Sequence, residues 1–97
     1  MKIWIDDIRP APEGYNWCKS VNEAKRVILS PNLDEKIELL DIDHDAGDYA
    51  IRGGDYIKLL DWLEETGRNY PIHIHSMNPV GVENMRRIIQ KNGWIEV

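Results

Sequence analysis

Short apolar runs of strand character alternate along the chain with segments of helical periodicity. Five runs are predicted as strands: residues 2–5, 15–18, 37–42, 72–75 and 94–97. Three segments place apolar residues at helical spacing: 21–29, 56–66 and 79–92. This alternation, with short loops, predicts βαβ units and a mostly parallel sheet in the order 2-1-3-4. We therefore expect a compact three-layer α/β fold.

The first connection, residues 6–14, is too short and too proline-rich for a crossover helix. This shortened crossover leaves two alternatives: the second strand is an edge hairpin, or one face of the sheet is thinly covered. The later helices have clearer start signals. Ser20 and Glu23 have the spacing of a capping box, Asp55 or a neighbour caps the second helix, and Asn78 precedes Pro79 at the third. Residues 47–54 are predicted as a loop at the mouth of a site.

Composition limits the class of protein. With 97 residues, 42% hydrophobic and 30% charged, the chain fits one domain, residues 1–97, and has no apolar run long enough for a membrane span. Met1 and Lys2 lead directly into a strand, so we expect no signal peptide. The single cysteine, Cys18, excludes an internal disulfide and fits the reducing cytoplasm, and we expect it to fill the core.

The formal net charge of −5 argues against non-specific binding to duplex nucleic acid, which depends on lysine and arginine. A small phosphate-bearing ligand or an RNA end remains compatible with this charge. Much of the negative charge comes from acids near strand ends.

The acids at two strand ends predict a metal site. Asp6 and Asp7 end the first strand and Asp43 ends the central one, so their carboxylates meet at one edge of the predicted sheet. Oxygen ligands of this kind suit Mg²⁺. The alternative is that each acid merely caps a loop or a helix start.

Two histidines are candidates for acid and base catalysis. His44 lies between Asp43 and Asp45, and His75 ends the next strand. Imidazole titrates near neutral pH, so the two side chains could exchange protons with a phosphate ester. The alternative is a structural, hydrogen-bonded histidine, which is the interpretation favoured for His73.

A phosphate site is predicted next to them. Ser76 and Asn78 lie between a strand and a helix N-terminus, where backbone N–H groups attract anions. Asn78 could instead simply cap the helix. Arg9 could bind phosphate in a bidentate manner or neutralise Asp6 or Asp7.

Four ordered motifs resemble the cyclic-phosphate processing receiver-like family, a relative of response-regulator receiver domains. The motifs are Asp6-Asp7-Ile8-Arg9-Pro10, Leu40-Asp41-Ile42-Asp43-His44-Asp45-Ala46-Gly47, Gly53-Gly54-Asp55, and His75-Ser76-Met77-Asn78-Pro79-Val80-Gly81 with Asn84-Met85. They extend over nearly the whole chain. The resemblance implies a flavodoxin-like, receiver-like fold with Asp45 and Asp55 at the site.

The resemblance also implies roles for single residues. Asp6 and Asp7 match the receiver acidic pair that holds Mg²⁺, Asp43 matches the phosphorylated carboxylate, and Ser76 matches the hydroxyl after the fourth strand. His44, His75 and Asn78 belong to the family signature. Two departures are Gly54, where an aromatic residue is expected, and Asp41, where a small residue is usual.

Two functions follow as expectations. The first is a metal-assisted phosphoesterase that processes cyclic-phosphate ends of RNA or nucleotides. The second is a single-domain receiver-like signalling module, or one that binds a phosphate ligand without turnover. The 97 residues contain no lysine after a fifth strand, which weighs against receiver-type phosphotransfer.

Overall fold

A computed structural model of the chain describes residues 1–30 and 36–97. This part of the chain forms one sheet of four parallel strands in the order β2-β1-β3-β4. The strands are β1 (Lys2–Ile5), β2 (Tyr15–Cys18), β3 (Leu39–Ile42) and β4 (Ile72–Ile74). The helices are α1 (Val21–Ile28), α2 (Ile57–Glu65) and α3 (Pro79–Asn92), and a short 3₁₀ helix covers Gly47–Arg52. The predicted receiver-like α/β fold is confirmed.

The second strand is not part of a hairpin. β2 pairs with β1 in parallel, with Ile3 opposite Asn16, although only residues 6–14 connect them. The other alternative, a thinly covered face, describes the structure. No helix lies between β1 and β2, so the crossover that would cover one face of the sheet is reduced to a loop.

The hydrophobic core lies on one face of the sheet. Ile3, Leu40 and Ile72 are fully buried and occupy alternate strand positions that point to the same side. They form one cluster with the buried residues of the three helices: Val21, Ala24, Ile28, Leu59, Leu60, Leu63, Met85 and Ile89. The described helices therefore form one layer, and the second helical layer expected from the sequence is not among the described residues.

Aromatic side chains cover part of the opposite face. The ring of Trp4 stacks on the ring of His75 with a centroid distance of 3.9 Å and an interplanar angle of 4°. Tyr15 meets Trp4 edge to face at 6.0 Å, and the ammonium of Lys2 lies 5.5 Å from the Tyr15 ring centre. These side chains lie where a receiver-like fold with a full first crossover would place a helix.

Two of the predicted caps are confirmed. At α1, the Ser20 hydroxyl accepts a hydrogen bond from the N–H of Glu23 at 3.0 Å, and the Glu23 carboxylate accepts one from the N–H of Lys19 at 2.8 Å. At α3, the Asn78 side-chain oxygen accepts from the N–H of Gly81 at 3.0 Å.

Among the described helices, none is long and apolar enough to cross a membrane.

Two local predictions were wrong, and a third is narrowed. Asp55 does not cap α2, because its carboxylate accepts from the N–H of Ala46 at 3.0 Å; the N-cap residue is its neighbour Tyr56, which makes no side-chain cap hydrogen bond. The predicted loop 47–54 contains the 3₁₀ helix. The predicted last strand, 94–97, is reduced to a single parallel bridge between Ile72 and Glu96, because its backbone hydrogen bonds to β4, those of Ile95 and Val97, both go to Ile72.

Cys18 lies in the core as predicted. Its side chain is 1% exposed, and burial raises the pKa of the thiol to about 12. A protonated, inaccessible thiol is a packing group rather than a nucleophile.

Candidate functional site

Three carboxylates meet at the carboxyl edge of the sheet. Asp6 and Asp7 follow β1 and Asp43 follows β3, its neighbour in the sheet. One oxygen of each carboxylate lies within 4.8 Å of the others. Asp6 and Asp43 are buried and Asp7 is partly exposed, so the cluster opens towards solvent on the Asp7 side.

Asp6 is the most heavily bonded of the three. Its Oδ1 accepts hydrogen bonds from the N–H groups of Ile8 and Arg9, both at 2.9 Å, while its Oδ2 lies 2.9 Å from His75 Nε2. Burial favours the neutral carboxyl. These hydrogen bonds, together with the Arg9 charge, outweigh burial and hold the pKa of Asp6 below its ordinary value.

Asp7 is in the opposite electrostatic position. Burial and the charges of Asp6 and Asp43 raise the pKa of its carboxyl. Gly47 lies against this carboxylate, and a Cβ at that position would overlap Asp7 Oδ2. Oxygen ligands on neighbouring strand ends, one of them short of positive partners, fit a hard divalent cation such as Mg²⁺.

Arg9 neutralises part of this charge. Its Nε lies 3.1 Å from Asp6 Oδ2 and its Nη2 lies 3.4 Å from Asp43 Oδ2. The side chain is 47% exposed, so it remains accessible from solvent. Both alternatives for Arg9 thus stay open: it contacts acids, and its outer surface could also face a phosphate.

His75 is held between two carboxylates. Its Nδ1 lies 2.6 Å from Asp41 Oδ1 and its Nε2 lies 2.9 Å from Asp6 Oδ2, while Trp4 stacks on the ring. Ionised carboxylates only accept hydrogen bonds, so both contacts are hydrogen bonds when both ring nitrogens carry protons. Neither nitrogen is left to bond a substrate.

His44 has one nitrogen engaged. The Asp43 carboxylate accepts from the backbone N–H of His44 at 2.8 Å, and Asp45 Oδ1 lies 2.9 Å from His44 Nδ1. The Asn78 amide reaches the same Asp45 carboxylate at 3.4 Å. In residues 1–30 and 36–97, Nε2 of His44 has no hydrogen-bond partner. The arrangement is therefore a carboxylate–imidazole pair with one free nitrogen.

The two histidines contact different faces of the sheet edge. The His44 ring packs against Gly81 in α3, on the side of the helices, where a Cβ at position 81 would overlap the ring. The His75 ring contacts Trp4 and Asp41 on the opposite side. The structure therefore brings His75 to the acid cluster and His44 to the start of α3, and it does not pair the two rings.

The remaining predicted site residues make local contacts. The Ser76 hydroxyl accepts from the N–H of Asn78 at 3.1 Å, and Asn78 caps Gly81. Asp55 anchors the loop that carries His44, because it bonds the N–H of Ala46. His73 Nδ1 lies 2.9 Å from the carbonyl oxygen of Val97, in line with its structural interpretation.

Sequence reasoning missed the partners of His75. From the sequence, Asp41 is only an acid where a small residue is usual, and Trp4 is only one residue of the predicted strand 2–5. Their register was the available signal, because Trp4 pairs with Asp41 and Asp41 pairs with His73, two residues before His75. Side chains at these alternate positions share one face.

A parallel sheet in the order 2-1-3-4, with acids at the ends of its first and third strands, defines a receiver-like domain. A family model described as cyclic-phosphate processing receiver domain matches residues 1–91, and the chain belongs to this family. The family name implies involvement in cyclic-phosphate processing. No curated protein and no solved structure matches the chain.

We expect Gly81→Ala to destabilise the protein. Replacing a helical glycine with alanine normally raises the free energy of unfolding by about 0.5–1 kcal/mol. Here the added methyl group overlaps the His44 ring, and the crowding lowers the free energy of unfolding by about 1–3 kcal/mol. Urea unfolding measures the difference. In the His44→Ala background, Gly81→Ala should lower the free energy of unfolding much less than it does in the wild type. An equal loss in the two backgrounds would contradict the contact.

We expect Asp6→Asn and Asp7→Asn to shift stability in opposite directions in EDTA. The lowered pKa of Asp6 means that its contribution is present above the ordinary value of 3.8 and is lost as the pH falls through the lower, folded-state value. The raised pKa of Asp7 means that its cost appears as the pH rises through the folded-state value.

At pH 7, Asp6→Asn should therefore lose about 1–3 kcal/mol, because it weakens charged hydrogen bonds, whereas Asp7→Asn should be more stable than the wild type. Unfolding between pH 2.5 and 7 measures both effects. The gain from Asp7→Asn should disappear below pH 3.8. Destabilisation by both variants at pH 7 would contradict the electrostatic picture.

Proposed function

We propose that this protein is a metal-assisted phosphoesterase that opens cyclic phosphates at the ends of RNA or in nucleotides. The observation that carries the proposal is the carboxylate–imidazole pair of Asp45 and His44, together with the backbone N–H of His44, which donates at 2.8 Å to Asp43 of the acid cluster. His44 and Asp43 are adjacent in the chain, so the two groups share one strand end. The family name supports the class of substrate.

Asp6, Asp7 and Asp43 would hold Mg²⁺. When bound, the ion would neutralise charge on the phosphate, which is the main requirement of phosphoryl-transfer transition states. Asp7 is the ligand that gains most from this, because its pKa is raised by burial and by the other two acids. Arg9, which contacts Asp6 and Asp43 and is 47% exposed, would supply further positive charge to the phosphate.

His44 would act as the general base. Its Nε2 would take a proton from the attacking water as the water oxygen bonds to phosphorus. The bond between phosphorus and one ribose oxygen then breaks, that oxygen takes up a proton from solvent, and His44 releases to solvent the proton that it took from the water. Asp45 holds Nδ1 and so fixes which nitrogen is free. One water molecule is consumed and a phosphate monoester is released.

His75 would be a positioning residue in this scheme. Both of its ring nitrogens contact carboxylates, so it orients Asp6 rather than exchanging protons with the substrate. These contacts favour a different division of roles from a symmetrical pair of acid and base histidines.

The second candidate is a receiver-like module that accepts a phosphoryl group on Asp43 or binds a phosphate ligand without turnover. The position of Asp43 beside Asp6 and Asp7 favours it. Asp43 Oδ1 already accepts from the N–H of His44, and Oδ2 contacts Arg9, so phosphorylation would require these contacts to rearrange.

Turnover of 2′,3′-cyclic AMP in Mg²⁺ tests the proposal, with the monophosphate product measured by chromatography. His44→Ala should lower kcat by about 10²–10⁴-fold, the usual contribution of a general base. His75→Ala should weaken the apparent Mg²⁺ affinity as well as kcat. His73→Ala is the matched control and should retain activity, because the one side-chain hydrogen bond of its ring within residues 1–30 and 36–97 is to the carbonyl oxygen of Val97, outside the acid cluster.

Full activity of His44→Ala would contradict the assigned base. If the wild type turns over neither 2′,3′-cyclic AMP nor RNA with a cyclic-phosphate end, the proposal that it is a phosphoesterase is contradicted. Stoichiometric phosphorylation of Asp43 by acetyl phosphate, found by mass spectrometry, would favour the second candidate.

We expect Mg²⁺ to raise the unfolding free energy of the wild type, by about 2.7 kcal/mol at a concentration 100 times Kd. Asp7→Asn and Asp43→Asn should lose most of this gain, since each removes a ligand charge. Asp48→Asn is the control, because Asp48 is exposed and lies outside the cluster. Thermal unfolding with Mg²⁺ or EDTA measures the effect, and equal gains in all four proteins would contradict the site.

A further inference from the structure

A pocket of about 400 Å³ lies between the end of β2, the start of α1 and the 3₁₀ helix. Both of its walls begin at the acid cluster. Trp17 donates from Nε1 to the carbonyl oxygen of Asp6 at 2.7 Å, and Gly47, the first residue of the 3₁₀ helix, lies against Asp7. The pocket therefore lies beside the acid cluster, although none of the three carboxylates lines it.

The pocket is cationic although the chain carries a net charge of −5. Lys19, Arg26 and Arg52 line it, against a single carboxylate, Glu23. None of the three cations forms a salt bridge within residues 1–30 and 36–97. Glu23 already accepts a hydrogen bond from the backbone N–H of Lys19. Such a lining favours an anionic ligand.

Two aromatic rings also line the pocket. Trp17 and Tyr49 are both half-buried and line the pocket. The ammonium of Lys19 lies 4.5 Å from the ring centre of Trp17. Aromatic rings next to lysine and arginine are the combination that binds a nucleobase together with its phosphate.

We propose that this pocket binds the nucleotide that carries or precedes the cyclic phosphate, with its base against Trp17 and Tyr49 and its phosphate near Arg26 and Arg52. The volume is within the range of small-ligand sites. This inference rests on the proposed function and adds to it the residues that would hold the base and the phosphate of the nucleotide. An RNA end and a free nucleotide share this chemistry.

Equilibrium binding in EDTA tests the inference without turnover. The probes are 3′-AMP, the RNA tetranucleotide AAAA with a 3′-phosphate, and inorganic phosphate. Tyr49→Leu should weaken binding of 3′-AMP about tenfold, whereas Tyr49→Phe, which keeps the ring, should bind as the wild type does. The pair of variants separates loss of stacking from loss of folding.

The double variant Arg26→Gln, Arg52→Gln tests the cations. For the tetranucleotide, the slope of log affinity against log salt should fall by about 1.4, the value for two lost phosphate contacts on a single strand. The matched control is Lys58→Gln, Arg87→Gln, which removes two exposed charges outside the pocket and should leave the slope unchanged.

Tighter binding of AAAA than of 3′-AMP supports an RNA end, and equal binding supports a free nucleotide. Unchanged affinities in the Tyr49→Leu and arginine variants, or inorganic phosphate that binds as well as 3′-AMP, would overturn the inference. Pocket-dependent binding without any turnover would instead overturn only the proposed catalysis. Turnover by the wild type, combined with nucleotide affinities that the pocket variants do not change, would overturn only this inference.

Discussion

The site depends on one buried charge, the carboxylate of Asp6, which is 1% exposed. A carboxylate this deep is stable only if its oxygens are hydrogen-bonded, and here the loop after β1 supplies two backbone N–H groups. Its second oxygen contacts His75 and Arg9. The Asp6 carboxylate therefore fixes the geometry of the loop after β1, the orientation of His75 and the position of Arg9.

The other acids divide into those that have a cationic or N–H partner and those that do not. Asp41 contacts His75, Asp45 contacts His44, and Asp55 accepts from the N–H of Ala46. Asp7 has no comparable partner in the described part of the chain and feels the charges of its neighbours. The remaining electrostatic cost thus concentrates at the open side of the cluster, where an added cation would relieve it most.

The sequence predicted the meeting of Asp6, Asp7 and Asp43 because carboxyl ends of parallel strands share one edge, and strand order follows from short right-handed crossovers. It could not predict partners that depend on tertiary packing. Asp55, for example, does not cap α2 but accepts a hydrogen bond from the N–H of Ala46, nine residues earlier in the chain. The separation of the two histidines was readable in part: the pairing of Ile42 with Ile74 puts His75 level with Asp43 and one residue before the level of His44, and successive residues of extended chain point to opposite faces.

The short first connection ties these features together. Because no helix lies between β1 and β2, the face of the sheet that carries Asp41 and His75 would be open to water, which would weaken their hydrogen bond. The ring of Trp4 lies on His75 and excludes water from that side. The edge of the sheet is thus held from two directions: α3 packs Gly81 against His44, and Trp4 packs against His75. Replacing a helix by one aromatic ring keeps Asp6 oriented while leaving the mouth of the site accessible.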